Sequence, residues 1–426
     1  MEAMEDQDVL FAARPATSEQ RDRAERKGWP DGLLERMLAL RWPAWKVELY
    51  LSADGFPTVE MLDGEVRDRE RLSTGLCVRE ATWEDDERLS DLFANSTERL
   101  GDWNVVVERS PNPYAQQRLQ ENWHVKVLDD RGVALAANMQ AGRSSYVNGQ
   151  AVSVSWMGGW RVRNEFRRTG LSGLLMSTPG PASGVFGMVS YWYVRTTNGL
   201  AQSWIAQQVT ELQASSGRPV DKLTASVHHV SAAGGGRRDA RVRPIRADDL
   251  PRCVELINTT HAGLDLFRRY SVDFLRGRLD DLFWGPKPPF VPRVYGWDEM
   301  AVLEDEGEIV ACGGLWDRGR DTRERWTHRD TGDEHVIDVT CLMDVGHAPG
   351  RADALAALIG HHLASTSTLG RTSMVAALEF LPDVVELLDW ARPEAEVRVL
   401  ETMGFRSPEV QIDATMTRPY TDLAYW

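Results

Sequence analysis

No window of this sequence holds the roughly 18 consecutive apolar residues that a membrane-spanning helix needs. Its start, MEAMEDQDVLFAARPA, lacks a basic stretch followed by an apolar core and does not read as a secretory signal, so a cytoplasmic location is expected. Cysteine is scarce. Cys77, Cys253, Cys312 and Cys341 stand too far apart for metal-binding pairs and suit a reducing compartment, so neither disulfides nor zinc are expected. The histidines of HVID and GHH share no ligand spacing with a carboxylate or thiol; they are expected to be solvated, and no metal site is predicted. Basic residues are the minority, 49 against 64 acidic, for a net charge of -15. That balance argues against nucleic acid and anionic membrane as partners; it serves solubility or suits a cationic or amine-bearing partner.

What is present is length and tryptophan. A chain of 426 residues exceeds the roughly 250 to 300 at which single cores stop growing, so two or more domains are expected. Many of the 16 tryptophans flank strand-like runs such as SWMGGW and SYWYV, as core or as the lining of an apolar pocket. A boundary lies at SAAGGGRRDA, where three consecutive glycines remove any periodic pattern and suggest a flexible connector.

Two segments repeat one design. ARVRPIRADDLPRCVELINTTH reads as a strand followed by an acidic helix start and an amphipathic helix, and LCVREATWEDDERLSDLFANS, from Leu76, reads the same way. The expected organisation is an N-terminal helical extension over residues 1–72, a first module over 73–231, a linker over 232–239 and a second module over 240–426. The extension holds two helical patterns, TSEQRDRAERKG and DGLLERMLALRW.

Within the first module, WHVKVLDDRG and VALAANMQAG flank an Asp-Asp-Arg-Gly turn and predict a hairpin; a third strand, AVSVSWMGGWRV, follows Asn148-Gly149. A strand VFGMVSYWYVR and a helix from about Asn198 to Gln213 come later. This order predicts an α+β fold, a mixed and mostly antiparallel sheet flanked by helices. Gly158-Gly159 within the third strand predict a bulge or a close backbone approach.

Between that strand and the next helix stands RNEFRRTG. A strand ending at Val162 and a helix beginning near Leu171 would aim the backbone N–H groups of residues 168–172 at whatever sits above the helix start. Arg167 and Arg168 add positive charge, and Gly170 lets the backbone approach an anion without a Cβ in the way.

The stretch WRVRNEFRRTGLSGLLM resembles the acyl-CoA-binding motif of the GNAT superfamily of acyltransferases. Val162, Glu165, Phe166, Arg167 and Gly170 fall on the family's positions, while Asn164 and Ser172 depart mildly from its Pro and Gly/Ala. The resemblance implies two GNAT-like modules in tandem and acetyl-CoA or another acyl-CoA as co-substrate. It places the CoA pyrophosphate on Arg167, Arg168, Thr169, Gly170, Leu171 and Ser172, and pantetheine beside Trp160, Arg161 and Val162. NGLAQSWIA carries the family's Asn198 and Ala201, but Ile205 stands where a tyrosine commonly protonates the departing thiolate. In the second module VIDVTCLMDVGHAPGRADALAALIGHHL keeps Gly350 and Ala352, yet has His347 at the Arg/Gln place and Pro349 without an N–H, an eroded cofactor loop. VRVLETMGF resembles the family's closing element.

The implied activity is acyl transfer from acyl-CoA to an amine of a small molecule or peptide. Decarboxylation, O-acylation and non-catalytic CoA binding remain alternatives at this level. The acid and base stay open among Tyr193, His124, Glu108 and, by analogy with the tandem-GNAT N-myristoyltransferases, the terminal carboxylate of Trp426.

Overall fold

The computed structural model describes residues 15–39, 47, 51, 76–109, 113–147, 149–167, 171–177, 189–195, 221–233, 236–283, 292–378, 381–388 and 396–406. The expected helix near residues 198–213 and the chain end lie outside them. Helices α1 (Ser18–Arg26) and α2 (Leu33–Ala39) come first, then β1 (Leu76–Glu80), α3 (Asp86–Ala94), β2 (Thr97–Leu100) and β3 (Trp103–Arg109). Next are β4 (Trp123–Asp130), β5 (Val133–Val147), β6 (Gln150–Val162), α4 (Leu171–Ser177), β7 (Val189–Arg195) and β8 (Asp221–Ser231). β9 (Val242–Pro244), α5 (Leu250–Thr260), α6 (Val272–Leu279), β10 (Met300–Asp305), β11 (Glu308–Trp316), β12 (Thr322–His328) and β13 (Glu334–Ile337) follow. The last elements are β14 (Val339–His347), α7 (Ala352–Thr368), β15 (Ser373–Ala376), α8 (Pro382–Leu387) and β16 (Glu396–Arg406). The architecture is mixed α+β, as the sequence predicts.

The chain divides into two compact units, each assembled from separated segments. One comprises Met1–Thr82, Val125–Asn138 and Gly159–Pro181; the other comprises Trp83–His124, Met139–Gly158 and Ala182–Trp426. In the first unit α1 begins with a capping box: Thr17 Oγ1 accepts from Gln20 N, and the Gln20 side chain accepts from Thr17 N. Its Ala24 packs with Trp29, Leu33, Leu34, Met37 and Leu38 into a small core. β1 pairs antiparallel with β4, and the turn between β4 and β5 uses left-handed Arg131 and Gly132, φ 51° and 87°, the conformation of a two-residue hairpin loop.

In the second unit β6 pairs parallel with β7, and the sheet continues in the order β7-β16-β8-β15-β14-β11-β10-β9. β8, from before the glycine run, pairs with β15 and β16, and β16 in turn pairs with β7. A smaller sheet has the order β13-β12-β3-β2; along β3 the alternation of buried Val105, Val107 and Arg109 follows the two-residue period of a strand with one face covered. α5 lays Leu250, Cys253, Leu256 and Ile257 on one core, and α7 lays Leu355, Leu358, Ile359 and Leu363 on another. Those spacings of three and four put apolar side chains on one helical face.

Two expectations need correction. Gly236, the last glycine of the run, is packed: a Cβ there would lie 2.0 Å from Gly360 O and 2.3 Å from Ala364 N. Glycine stands there because the backbone is pressed against α7. His362 of GHH is not solvated but buried, on the same face as Leu358 and Ile359, with Nε2 3.1 Å from Gly313 O.

Candidate active site

The expected cofactor loop starts from a well-anchored strand end. Trp160 and Val162, half-buried at the end of β6, pack with Leu76, Leu128, Leu135 and the Leu171, Leu174 and Leu175 face of α4. That cluster seats the helix start beside the strand end. Arg163 supplies the anchor that sequence reading passed over. It is buried, its Nε donates to Ala134 O at 2.7 Å, and its backbone N donates to Leu135 O at 3.0 Å. A buried charge must be hydrogen-bonded, so these carbonyls fix the point at which the chain leaves the sheet. A single turn over Asn164–Phe166 follows, closed by Phe166 N donating to Arg163 O, and Arg167 returns to extended backbone at φ -65° and ψ 149°.

Glu165 is exposed, as its place in the motif requires, and Ser172 is exposed in the first turn of α4. Arg161 Nη1 donates to Trp160 O at 2.8 Å. Arg168, Thr169, Gly170, Asn198 and Trp426 lie outside the described residues.

The glycine pair before this strand end has two separate reasons. Gly159 is left-handed at φ 59°. A Cβ on Gly158 would lie 2.2 Å from the Trp156 ring, so the protein's own buried indole makes a close approach there. The parallel ladder of β6 with β7 runs through Val154↔Val189, Ser155↔Ser190 and Trp156↔Tyr191, and no later pair is registered among the described residues. Tyr193 lies in β7 opposite Thr402 of β16.

Two other candidate residues are occupied elsewhere. Glu108 is on the smaller sheet and accepts from Arg325 Nη2 at 2.7 Å. His124 is buried, with Nε2 2.9 Å from Gln140 Oε1.

The loop before α7 has the same parts in another state. Gly350 is left-handed at φ 73°, with open space where a Cβ would be. Arg351, the remaining cation, is held by Asp305 at 2.8 Å and by Asp353 at 3.1 Å. Asp353 sits in the first turn of α7; hydrogen bonds from Arg351 and, to a lesser degree, from backbone N–H groups of the helix start hold its carboxyl below the usual range. The chain's own carboxylate thus stands at the helix end that attracts anions.

Among the described residues no helix is long and apolar enough to cross a membrane, and no three His, Cys, Asp or Glu side chains gather as metal ligands. No protein-family model matches the sequence, and no curated protein matches it. Solved structures do. The chain is similar to Saccharomyces cerevisiae N-myristoyltransferase with bound myristoyl-CoA, at a TM-score of 0.53 and 9% identity over 78% of this chain and 83% of that one. A second structure of that enzyme, with myristoyl-CoA and inhibitors, matches at 0.54 and 9%, covering 83% of this chain and 84% of that one. A GCN5-related N-acetyltransferase from Sphaerobacter thermophilus matches at 0.45 and 12%, covering 83% and 99%.

Proposed function

We propose that this chain, which has the acyl-CoA acyltransferase fold of the GNAT superfamily, transfers an acyl group from acyl-CoA to an amine of a small molecule or peptide. The observation that carries the reading is the anchored strand end. Arg163 ties the end of β6 to β5, Arg167 follows in extended backbone, and α4 begins at Leu171. In this reading the pyrophosphate is held by Arg167, Arg168, Thr169, Gly170, Leu171 and Ser172, with Asn198 contributing nearby, because helix-start N–H groups and guanidinium forks both favour phosphate oxygens. Pantetheine lies along Trp160, Arg161 and Val162.

The chemistry is the attack of a neutral amine on the thioester carbonyl. The new C–N bond forms as the C–S bond breaks; the amine loses a proton and the departing thiolate takes one up. Tyr193 in β7 is the proposed candidate for one of these proton transfers. The division into a first module over residues 73–231 that binds acyl-CoA and a second over 240–426 that builds the acceptor side belongs to the same proposal. It is supported by the shared succession of strand, single turn and helix at β1 to α3 and at β9 to α5.

Gly170→Asp tests the site. A carboxylate where the pyrophosphate lies repels it, so calorimetry should find acetyl-CoA affinity reduced a hundredfold or more, about 3 kcal/mol, with the fold intact by circular dichroism. Unchanged affinity would remove the loop from the site.

A further inference from the structure

At the other end of β6 from Val162 the second unit contains a cavity of about 290 Å³, lined by Glu121, Tyr146, Arg268, Arg269, Ser271 and Phe274 among others. We propose that this cavity is a binding site for a small oxyanion, a carboxylate or phosphate carried on a metabolite-sized molecule.

The argument begins with the loop that supplies the arginines. Leu266 has a φ of 62°, left-handed backbone that a bulky non-glycine residue rarely adopts. The strain is held in place from outside the loop. Leu266 N donates to Tyr146 O at 2.7 Å, Arg143 Nη2 donates to Leu266 O at 2.8 Å, and Ser145 Oγ donates to Phe267 O at 2.9 Å. On its far side Tyr270 is clamped through both backbone groups by Asn258, at 2.7 and 3.0 Å. Backbone strain retained this firmly marks a place where position matters, and the residues it positions are Arg268 and Arg269.

Arg268 is arranged as a recognition group. Its side chain is 11% exposed, and its guanidinium lies 4.0 Å over the centre of the Phe274 ring, which sets the plane of the fork. One edge is taken: Nη2 donates to Glu121 at 2.6 Å. The other terminal nitrogen, Nη1, is buried and has no hydrogen-bond partner among the described residues. A buried cationic N–H requires an acceptor, and an incoming oxyanion supplies one. The charges agree. Two guanidiniums against the single Glu121 carboxylate leave the cavity positive in a chain whose net charge is -15. Ser271, which caps α6 through Phe274 N at 3.1 Å, is itself part of the lining, so the positive end of that helix borders the cavity.

These features select against other occupants. Two arginines against one carboxylate repel a cation, and at about 290 Å³ the cavity is at the small end of ligand pockets.

The test uses the full chain, titrated with inorganic phosphate and with succinate in low-salt chloride buffer, followed by calorimetry and thermal shift. Saturable binding of either anion is expected, weakened tenfold or more in Arg268→Met and in Arg269→Glu. Phosphate alone would identify a phosphate ligand, succinate alone a carboxylate. If Arg268→Met fails to fold, the exposed Arg269→Glu gives the reading by itself. Gly170→Asp, which tests the acyl-CoA loop, should leave the succinate titration unchanged, so the two proposals fail separately. Absence of binding by both anions, or binding that neither arginine variant weakens, would overturn the site.

Discussion

Gly159 and Asp344 occupy one place in two strands. Gly159 is left-handed at φ 59° and is followed in β6 only by Trp160, Arg161 and Val162; Asp344 is left-handed at φ 53° and is followed in β14 only by Val345, Gly346 and His347. The parallel ladders end alike. β6 leaves β7 after Trp156↔Tyr191 and β14 leaves β15 after Cys341↔Val375, the same distance before each left-handed residue. Glycine adopts that backbone freely, whereas Asp344 is held in it: its Oδ1 accepts from Arg278 and from the Tyr270 hydroxyl. This geometric repeat supports the proposed tandem arrangement.

Asp344→Ala should destabilise the protein by about 3–5 kcal/mol, since it leaves the buried Arg278 guanidinium without its carboxylate. Replacing Arg278 by Met in the same background should recover part of the loss. Urea denaturation of the two variants measures this; a double variant no more stable than the single one would show that charge burial is not the cause.

One CoA per chain is the expected stoichiometry. At the second loop Arg351 is already spent on Asp305 and Asp353, and the Asp353 carboxylate stands at the helix start where a phosphate would go. Gly350→Asp costs about 1–2 kcal/mol for its left-handed backbone but leaves CoA binding unchanged. Calorimetry that finds two equivalent sites, or binding lost in this variant, would reverse the assignment of the two loops.

His362 makes stability fall on mild acidification. Burial lowers its pKa from 6.5 to about 4, so between those values the unfolded chain binds the proton and the folded chain does not. The contribution is fully present above pH 6.5 and is lost as the pH falls to about 4, by roughly 3 kcal/mol. His362→Leu should flatten that part of the stability profile; an unaltered slope would exclude His362 as its source.

Asp321 acts with the opposite sign. Burial raises its carboxyl from 3.8 to about 6 against the nearby Arg320 and Arg118, so its contribution is fully present below pH 3.8 and is lost as the pH rises through about 6. At pH 7 the buried carboxylate is a net cost, and Asp321→Asn should stabilise the protein by about 1–3 kcal/mol. The gain should vanish at pH 4, and equal gains at both values would point to packing instead.

Much of the fold was legible from local pattern. The helix of TSEQRDRAERKG, the hairpin turn at Arg131-Gly132 and the amphipathic helix that buries Leu256 and Ile257 each depend on residues close in the chain, and their physics operates there. So did the strand, turn and helix around Val162 and Leu171, which carried the family resemblance. Other features depend on which distant segments meet, and no periodicity reports that. Gly236 is pressed on α7, Trp156 fills the space over Gly158, and His362 turns from an expected solvated residue into a core one because its helix buries that face. The pairing of Arg278 with Asp344 and the clamping of Leu266 by Tyr146 and Arg143 bring together groups far apart in sequence. Charge burial and backbone strain are properties of an environment, and that environment exists only once the sheets have formed and packed.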